Sequence, residues 1–225
     1  VPYSLFNGVD YSALADERSE LETIINTNTS TETEVVDARE RRSVIDQTRF
    51  NWLEYYKVKF QATWYSTIVG DLVLRPKAEF GFLGAYNNDR GIPPFERFFV
   101  GGDGLGSFSL DGREVIQLRG YPNQSLSTTD GDNIYNKFSL ELRYPVTLKQ
   151  LASIYVLAFA EGGGSYDGFR NYDPFNLKRS AGAGIRIFMP AFGLLGIDFG
   201  YGFDPVLNGN QKNGWETHFI IGQQF

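Results

Sequence analysis

Side chains suited to acid–base or nucleophilic chemistry are scarce in this sequence. It has no cysteine and a single histidine, His218, which lies in the last strand-like segment. A Ser/His/Asp arrangement would have to use that histidine, and no Gly-x-Ser-x-Gly turn that would expose a nucleophilic serine is present. Asp198 and Asp204 share a strand face, and we interpret them as solvated residues that face a lumen rather than as a catalytic pair. The sequence predicts no enzymatic activity, no metal site and no cofactor.

Charge and composition exclude some classes of protein and favour others. The formal net charge is −6, which argues against a nucleic-acid partner, because such binding needs a basic face. Abundant aromatic residues and glycines favour strands and turns over a helical bundle. No apolar run approaches the roughly 18 residues of a membrane-spanning helix. A β-barrel, however, crosses lipid with strands of about 10 residues that are apolar on one face only.

Regular alternation of apolar and polar residues predicts the strands. The clearest case is 137–144, where Phe138, Leu140, Leu142 and Tyr144 alternate with polar or charged residues. The same pattern is clear in 57–65, 72–82 and 195–204 and less regular in 154–161 and 180–189. Pro76 interrupts one of these segments and cannot donate a ladder hydrogen bond, so we expect a bulge or a strand end there.

The polar strand faces indicate an inside-out protein. They are charged and rich in glycine, which suits a wet and crowded lumen. Short connections at 68–71, 147–151 and 190–193 alternate with long ones at 87–135, 162–179 and 205–215, an asymmetry typical of outer-membrane barrels. The predicted fold is therefore all-β, a transmembrane antiparallel β-barrel. The alternative is a soluble sandwich or ligand-binding barrel, in which the apolar face would form the core.

The chain is predicted to have three parts. Residues 1–5 resemble the end of a preceding strand, and residues 6–52 form a polar, charge-rich insertion with helix-compatible stretches such as 12–25. Residues 53–225 contain the barrel strands and the long connection 87–135. The last strand places Phe219, Ile221 and Phe225 on one face and ends in an aromatic residue, a feature by which outer-membrane proteins are recognised for assembly.

Several motifs carry a family resemblance. Phe98-Phe99-Val100-Gly101-Gly102 and Gln117-Leu118-Arg119-Gly120-Tyr121 lie in the long connection, and 136–145, 158–163 and 177–182 follow in order. Together they resemble the outer-membrane protein-85 superfamily, and within it the BamA family, over residues 53–225. The resemblance implies the C-terminal half of a 16-stranded barrel, with this chain supplying the tenth to the sixteenth strand. It also implies that the first eight strands and the periplasmic domains belong to the same protein or to another chain.

The resemblance also implies site residues. In the family the Arg-Gly-aromatic tip enters the lumen, which assigns this role to Arg119, Gly120 and Tyr121. Its acidic anchors correspond to Glu141 and Glu161, the latter standing where the family more often has aspartate. An arginine can pair with carboxylates in a bidentate manner, which suits a buried anchor. The alternative is that Arg119 is a solvated loop residue.

The implied function is insertion and folding of β-barrel proteins in the bacterial outer membrane through a lateral gate. Gly222 matches a glycine at which the family's last strand can kink, so Phe219, Gly222 and Phe225 are the expected gate and signal residues. Expected partners are the outer-membrane bilayer, nascent barrel clients and accessory lipoproteins, with 6–52 as an enlarged extracellular loop. The alternatives are a two-partner secretion or translocation-assembly pore, or a passive porin.

Overall fold

The computed structural model describes residues 8–27, 31–51, 54–87, 91–104, 113–149, 152–190 and 193–222. The predicted strand end at 1–5 and the terminal Phe225 lie outside these ranges. The chain divides into two compact units. One comprises Val1–Lys57 and Leu83–Pro93, and the other comprises Val58–Phe82 and Pro94–Phe225.

The first unit contains two helices, α1 (Tyr11–Asn26) and α2 (Glu32–Arg49). The Asp10 side chain caps α1, and Thr31 and Glu34 form a reciprocal capping box at the start of α2. Ion pairs join the helices, among them Arg18 with Asp46 at 2.8 Å. Among the described residues, no helix is both long and apolar enough to cross a membrane.

Ten strands follow the helices in the part of the chain that the structure describes. They are β1 (Tyr55–Thr63), β2 (Ser66–Val69), β3 (Leu72–Ala85), β4 (Phe98–Val100), β5 (Glu114–Ile116), β6 (Ile134–Leu148), β7 (Ser153–Tyr166), β8 (Lys178–Met189), β9 (Gly193–Gly202) and β10 (Gly214–Gly222). The main sheet has the order β1-β3-β6-β7-β8-β9-β10, and the short β2 pairs with β3. From β3 onward the neighbours along this order are antiparallel, whereas β4 and β5 form a separate parallel pair. These seven long strands equal the number that the family resemblance implied.

The faces of the strands are inverted relative to a soluble protein. On β6, Phe138 and Leu140 are 37% and 46% exposed, whereas Lys137, Ser139 and Glu141 between them are buried. The exposed apolar side chains continue on the neighbouring strands at Val156, Ile185, Ile197, Phe199, Phe219 and Ile221. A soluble sandwich would bury these side chains, so the inside-out, all-β prediction is confirmed for the described part of the barrel.

Pro76 lies within β3 and pairs in register with Leu140 of β6, so the strand end or bulge expected at this proline is not found on its own strand. The Pro76 carbonyl accepts from the Trp64 N–H at 3.0 Å, on the side away from β6. In an antiparallel ladder the amide and carbonyl positions of a residue face the same side. The missing donor therefore faces 64–65, where the chain leaves β1 before β2 begins. The break in the strand therefore lies between β1 and β2 rather than within β3.

The long connection between β3 and β6 folds back against the inner face of the sheet. Its Phe98 ring packs on Tyr135 of β6 with centroids 4.7 Å apart. Phe98, Leu118, Tyr121 and the strand residue Ile134 are fully buried. The core of this unit therefore lies between the polar strand face and the connection, which is where the site is built.

Candidate functional site

Arg119 lies at the centre of a cluster of carboxylates. The residue is 2% exposed, and Nη2 donates to Oε1 of Glu141 at 2.7 Å and to Oε1 of Glu161 at 2.6 Å. Nη1 donates to Oδ2 of Asp198 at 3.1 Å, and the backbone N–H of Arg119 donates to Oε2 of Glu161 at 3.0 Å. The guanidinium also lies 3.8 Å from the centroid of the Phe159 ring. The structure thus brings the predicted arginine and both predicted anchors together, and the solvated-loop alternative for Arg119 is wrong.

Each carboxylate of this cluster has a second cationic partner. Glu141 also accepts from Arg75 and Arg143, and Glu161 lies 3.4 Å from Lys137 Nζ. Asp198 forms a bidentate pair with Arg186, both contacts being 2.6 Å. The cations come from β3, β6 and β8 as well as from the connection, so the cluster cross-links several strands through buried ion pairs. Burial of so many charges is tolerated because every carboxylate is paired, and removal of one partner would leave an uncompensated buried charge.

The charge states of the loop side chains follow from this environment. Burial by itself lowers the pKa of the Arg119 guanidinium, but the charges of Glu161, Glu141 and Asp198 outweigh it and raise that pKa above its ordinary value. Burial raises the pKa of Tyr121 to about 12. Both residues therefore keep a fixed protonation state across physiological pH.

Gly120 fits the site because the backbone there is both left-handed and crowded. Its φ is +84°, and a Cβ at this position would lie 2.8 Å from the Cβ of Ser180. The strand below is equally tight, since a Cβ on Gly200 would lie 2.7 Å from the Gly120 nitrogen. Glycine on β9 therefore permits the tip backbone to lie directly on the sheet.

Tyr121 fixes the other end of the tip. Its hydroxyl donates to the carbonyl of Arg179 at 2.7 Å and accepts from the backbone N–H of Asp204 at 3.3 Å. Asp204 in turn pairs with Arg179, and the hydrogen bond from Arg179 lowers the pKa of the Asp204 carboxyl. The motif Arg-Gly-Tyr thus contacts β6, β7, β8 and β9 within three residues.

Sequence reasoning missed Asp198, Arg186 and His218. Asp198 is fully buried between Arg119 and Arg186, so the interpretation of this residue as solvated is wrong. Asp204 lies beyond Gly202, the last residue of β9, and therefore does not share a strand face with Asp198. His218 is 3% exposed, and its Nε2 accepts from the backbone N–H of Gly120 at 2.7 Å. Alternation does place all three on polar strand faces, but it could not identify their partners.

The expected gate residues lie on β10. Phe219 is exposed on the apolar face and pairs in register with Ile197 of β9. Gly222 ends the strand opposite Leu194, and a Cβ there would meet no atom within 4 Å. The described backbone has no positive φ at Gly222, so the paired conformation does not itself require glycine.

A family model described as the Omp85 superfamily domain matches residues 39–225. This chain belongs to the Omp85 superfamily. The match begins within α2 and therefore extends further toward the N-terminus than the motifs, which covered only residues 53–225. Omp85 membership and the inverted strands identify the chain as part of an outer-membrane β-barrel protein.

Two curated relatives of this Omp85 chain are named outer membrane protein assembly factor BamA. The protein from Neisseria meningitidis serogroup B is 28% identical over 137 residues, which cover 60% of this chain and 17% of the relative. The protein from Nitratidesulfovibrio vulgaris is 29% identical over 175 residues, which cover 75% of this chain and 20% of the relative. The chain thus spans about a fifth or less of the length of these relatives.

Proposed function

We propose that this chain is the C-terminal barrel region of an outer-membrane assembly factor that inserts and folds other β-barrel proteins. The observation that carries the proposal is the Arg119 tip, which is anchored to three carboxylates from three strands and reaches the last strand at His218. The names of the two relatives support the same function. The proposed role involves no bond-making chemistry.

The proposed mechanism uses the edge strand β10. It lies at the end of the strand order, paired with β9 on one side. An open strand edge presents unpaired N–H and C=O groups that can template an incoming strand by β-augmentation. The anchored tip holds β6 to β9 in one arrangement while the edge opens and closes. A nascent outer-membrane barrel is the client proposed for this edge.

The surroundings of the protein follow from the same proposal. The exposed apolar face contacts the outer-membrane lipid bilayer, and the exposed aromatic side chains Trp64, Tyr65 and Tyr144 lie at the lipid interface. Accessory lipoproteins of an assembly complex are proposed as partners. The segment 6–52, which contains α1 and α2, is proposed to be an enlarged extracellular loop.

A substitution at Gly222 tests this function. A valine side chain there meets open space in the paired state, so G222V is expected to fold normally. A β-branched residue restricts the backbone and blocks a kink or peeling of the strand end. In cells that depend on the complete protein, we expect G222V to lower the steady-state level of other outer-membrane barrels several-fold.

The matched control is G168V. Gly168 lies in the connection between β7 and β8, its φ is not positive, and a Cβ there also meets no atom within 4 Å. This variant is expected to leave barrel levels unchanged. Normal levels of other barrels in G222V cells, with the variant itself folded in the membrane, would overturn the gate role. Unchanged barrel levels after depletion of the protein itself would instead favour a secretion or translocation pore, or a passive porin.

A further inference from the structure

The tip of the long connection is hydrogen-bonded to the last strand and to the segment before it. The Gly120 N–H donates to Nε2 of His218 at 2.7 Å, and Nδ2 of Asn213 donates to the Gly120 carbonyl at 2.9 Å. His218 lies in β10, and Asn213 immediately precedes that strand. Both backbone polar groups of one tip residue are thus satisfied by the edge-strand segment.

The two halves of β10 are held differently. In the first half, His218 is buried, and Asn213 also donates to Oε1 of Glu216 at 3.2 Å. In the second half, Phe219 and Ile221 are exposed, and the space beside Gly222 is open. Within the described ranges, no side-chain hydrogen bond to residues 219–222 supplements their pairing with β9. The tip therefore supports only the start of the edge strand.

We propose that His218 is a positioning residue that couples seating of the Arg119–Tyr121 tip to pairing of β10 with β9. When the tip is seated, the bond from Gly120 to His218 stabilises the first half of the edge strand. When the tip withdraws, or when the Nε2 acceptor is lost, that half of β10 opens more readily. This inference deepens the proposed function, because it assigns control of the edge to the anchored connection.

The acceptor makes the coupling sensitive to protonation. Nε2 accepts a hydrogen bond only in the neutral imidazole, whereas both ring nitrogens of the imidazolium are donors. Burial of His218 favours the neutral imidazole, whereas the carboxylates of Asp103, Glu216, Asp198 and Glu161 favour the imidazolium. The nearby cations, Arg119 and Arg186, are both paired with Asp198. Protonation of His218 would place an N–H donor at Nε2 opposite the Gly120 N–H donor, 2.7 Å away. The tip would then be released from β10.

Hydrogen exchange of the complete protein in lipid nanodiscs tests the coupling without any client. H218L removes the acceptor, and R119A releases the tip without altering β10. Because one neutral hydrogen bond contributes about 1 kcal/mol, we expect H218L to speed exchange of the amides of residues 214–218 by about fivefold. R119A also frees the Gly120 carbonyl from Asn213, so it should speed this exchange by about fivefold to tenfold. H218Q retains an acceptor oxygen near the Nε2 position and should stay within about twofold of the wild type.

Three further comparisons separate coupling from a general structural effect. The double variant H218L/R119A should exchange no faster in 214–218 than R119A alone, because release of the tip already removes the bond to His218. Acidification should speed exchange of this segment in the wild type, after correction for intrinsic exchange, but not in H218Q. T217L is the control, since Thr217 is the exposed neighbour of His218 on the same strand and should leave exchange unchanged.

The outcomes of these exchange experiments can be distinguished from those of the G222V test of the proposed function. Unchanged exchange of residues 214–218 in R119A, or equal exchange in H218Q and H218L, overturns the coupling. If H218L fails to fold, R119A and the acid response of H218Q still decide it. A protein with coupled exchange that does not support barrel assembly would overturn the assembly function while the coupling remains.

Discussion

At Arg119, one guanidinium contacts carboxylates from β6, β7 and β9. A loop tip has few apolar contacts with which to hold a position on a polar strand face, so charge-assisted hydrogen bonds must supply the attachment. The planar guanidinium suits this task because it presents several donors in fixed directions. Glu161 is the principal anchor, since it accepts from both the side chain and the backbone of Arg119.

We therefore expect R119A to detach the tip and to lower the free energy of unfolding by about 3 kcal/mol. This is the low end of the cost of breaking a buried ion pair, because each carboxylate retains another cation. R119K should recover little, since one ammonium cannot bridge three carboxylates. Denaturant unfolding and protease sensitivity of the connection measure the effect. R170A, at an exposed arginine in another connection, is the control, and equal stability of R119A and R170A would contradict the prediction.

The backbone at Gly120 gives a second prediction. G120A would place a side chain at φ +84° and 2.8 Å from Ser180, so we expect a loss of about 2 kcal/mol in stability. G168A, at a glycine with open space and without positive φ, should be neutral within about 0.5 kcal/mol. Thermal unfolding of the two variants in the same detergent compares them. A neutral G120A would mean that the tip does not occupy this position on the sheet.

At the scale of the strands, side-chain alternation and register act together. Antiparallel pairing places Leu140 beside Ala160 and Glu141 beside Phe159, so each residue keeps its face across the sheet. Phe159 is an exception to this division, because its apolar ring lies on the polar inner face. The Arg119 guanidinium covers that ring. The strands therefore present an apolar outer face to lipid and a polar inner face to the connection.

Spin labels can test these faces, and the absence of cysteine allows single-site labelling. We expect labels at Phe138, Ile197 and Phe199 to be accessible to oxygen and shielded from a water-soluble relaxation agent, because these side chains face acyl chains. A label at Asn171, an exposed residue of the connection between β7 and β8, should show the opposite. Water accessibility at the three strand positions would contradict the membrane assignment.

At the scale of the whole chain, the two compact units have separate internal contacts. The helices are joined by their own ion pairs, Arg18 with Asp46 and Arg41 with Glu17, and bury Tyr11, Ala38 and Ile45. The second unit contains the Arg119 cluster and the β6–β10 ladder. Units with separate cores can tolerate changes independently.

We accordingly expect replacement of residues 11–49 by a short flexible linker to leave the barrel strands folded. The electrophoretic mobility shift between boiled and unboiled protein, which reports an intact barrel, should persist in the complete protein. A linker of equal length inserted between β8 and β9 is the disruptive control, because it lengthens a short connection within the ladder. Loss of the shift in the helix-replaced variant would show that α1 and α2 are required for the fold.

Alternation and motif spacing are enough to predict the long strands, their two faces and the tip motif, but not the short strands β2, β4 and β5. Alternation over Lys137–Tyr144 was sufficient because side chains on a strand point to opposite sides with a fixed period of two. The actual strands extend further, as in β6 (Ile134–Leu148), since pairing with a neighbour lengthens a ladder beyond its clearest alternating segment. Arg119, Glu141 and Glu161 could be named in advance because the motif resemblance supplied their pairing.

Partners that come from distant parts of the chain could not be predicted from the sequence. Asp198 lies 79 residues from Arg119, and His218 lies 98 residues from Gly120, so no local pattern relates them. The strand end or bulge expected at Pro76 is absent for the same reason, because its missing donor is accommodated by a break in the adjacent strand. Alternation with a period of two predicts the face of the sheet on which a side chain lies. The register between strands and the path of the long connection determine which residues that side chain contacts.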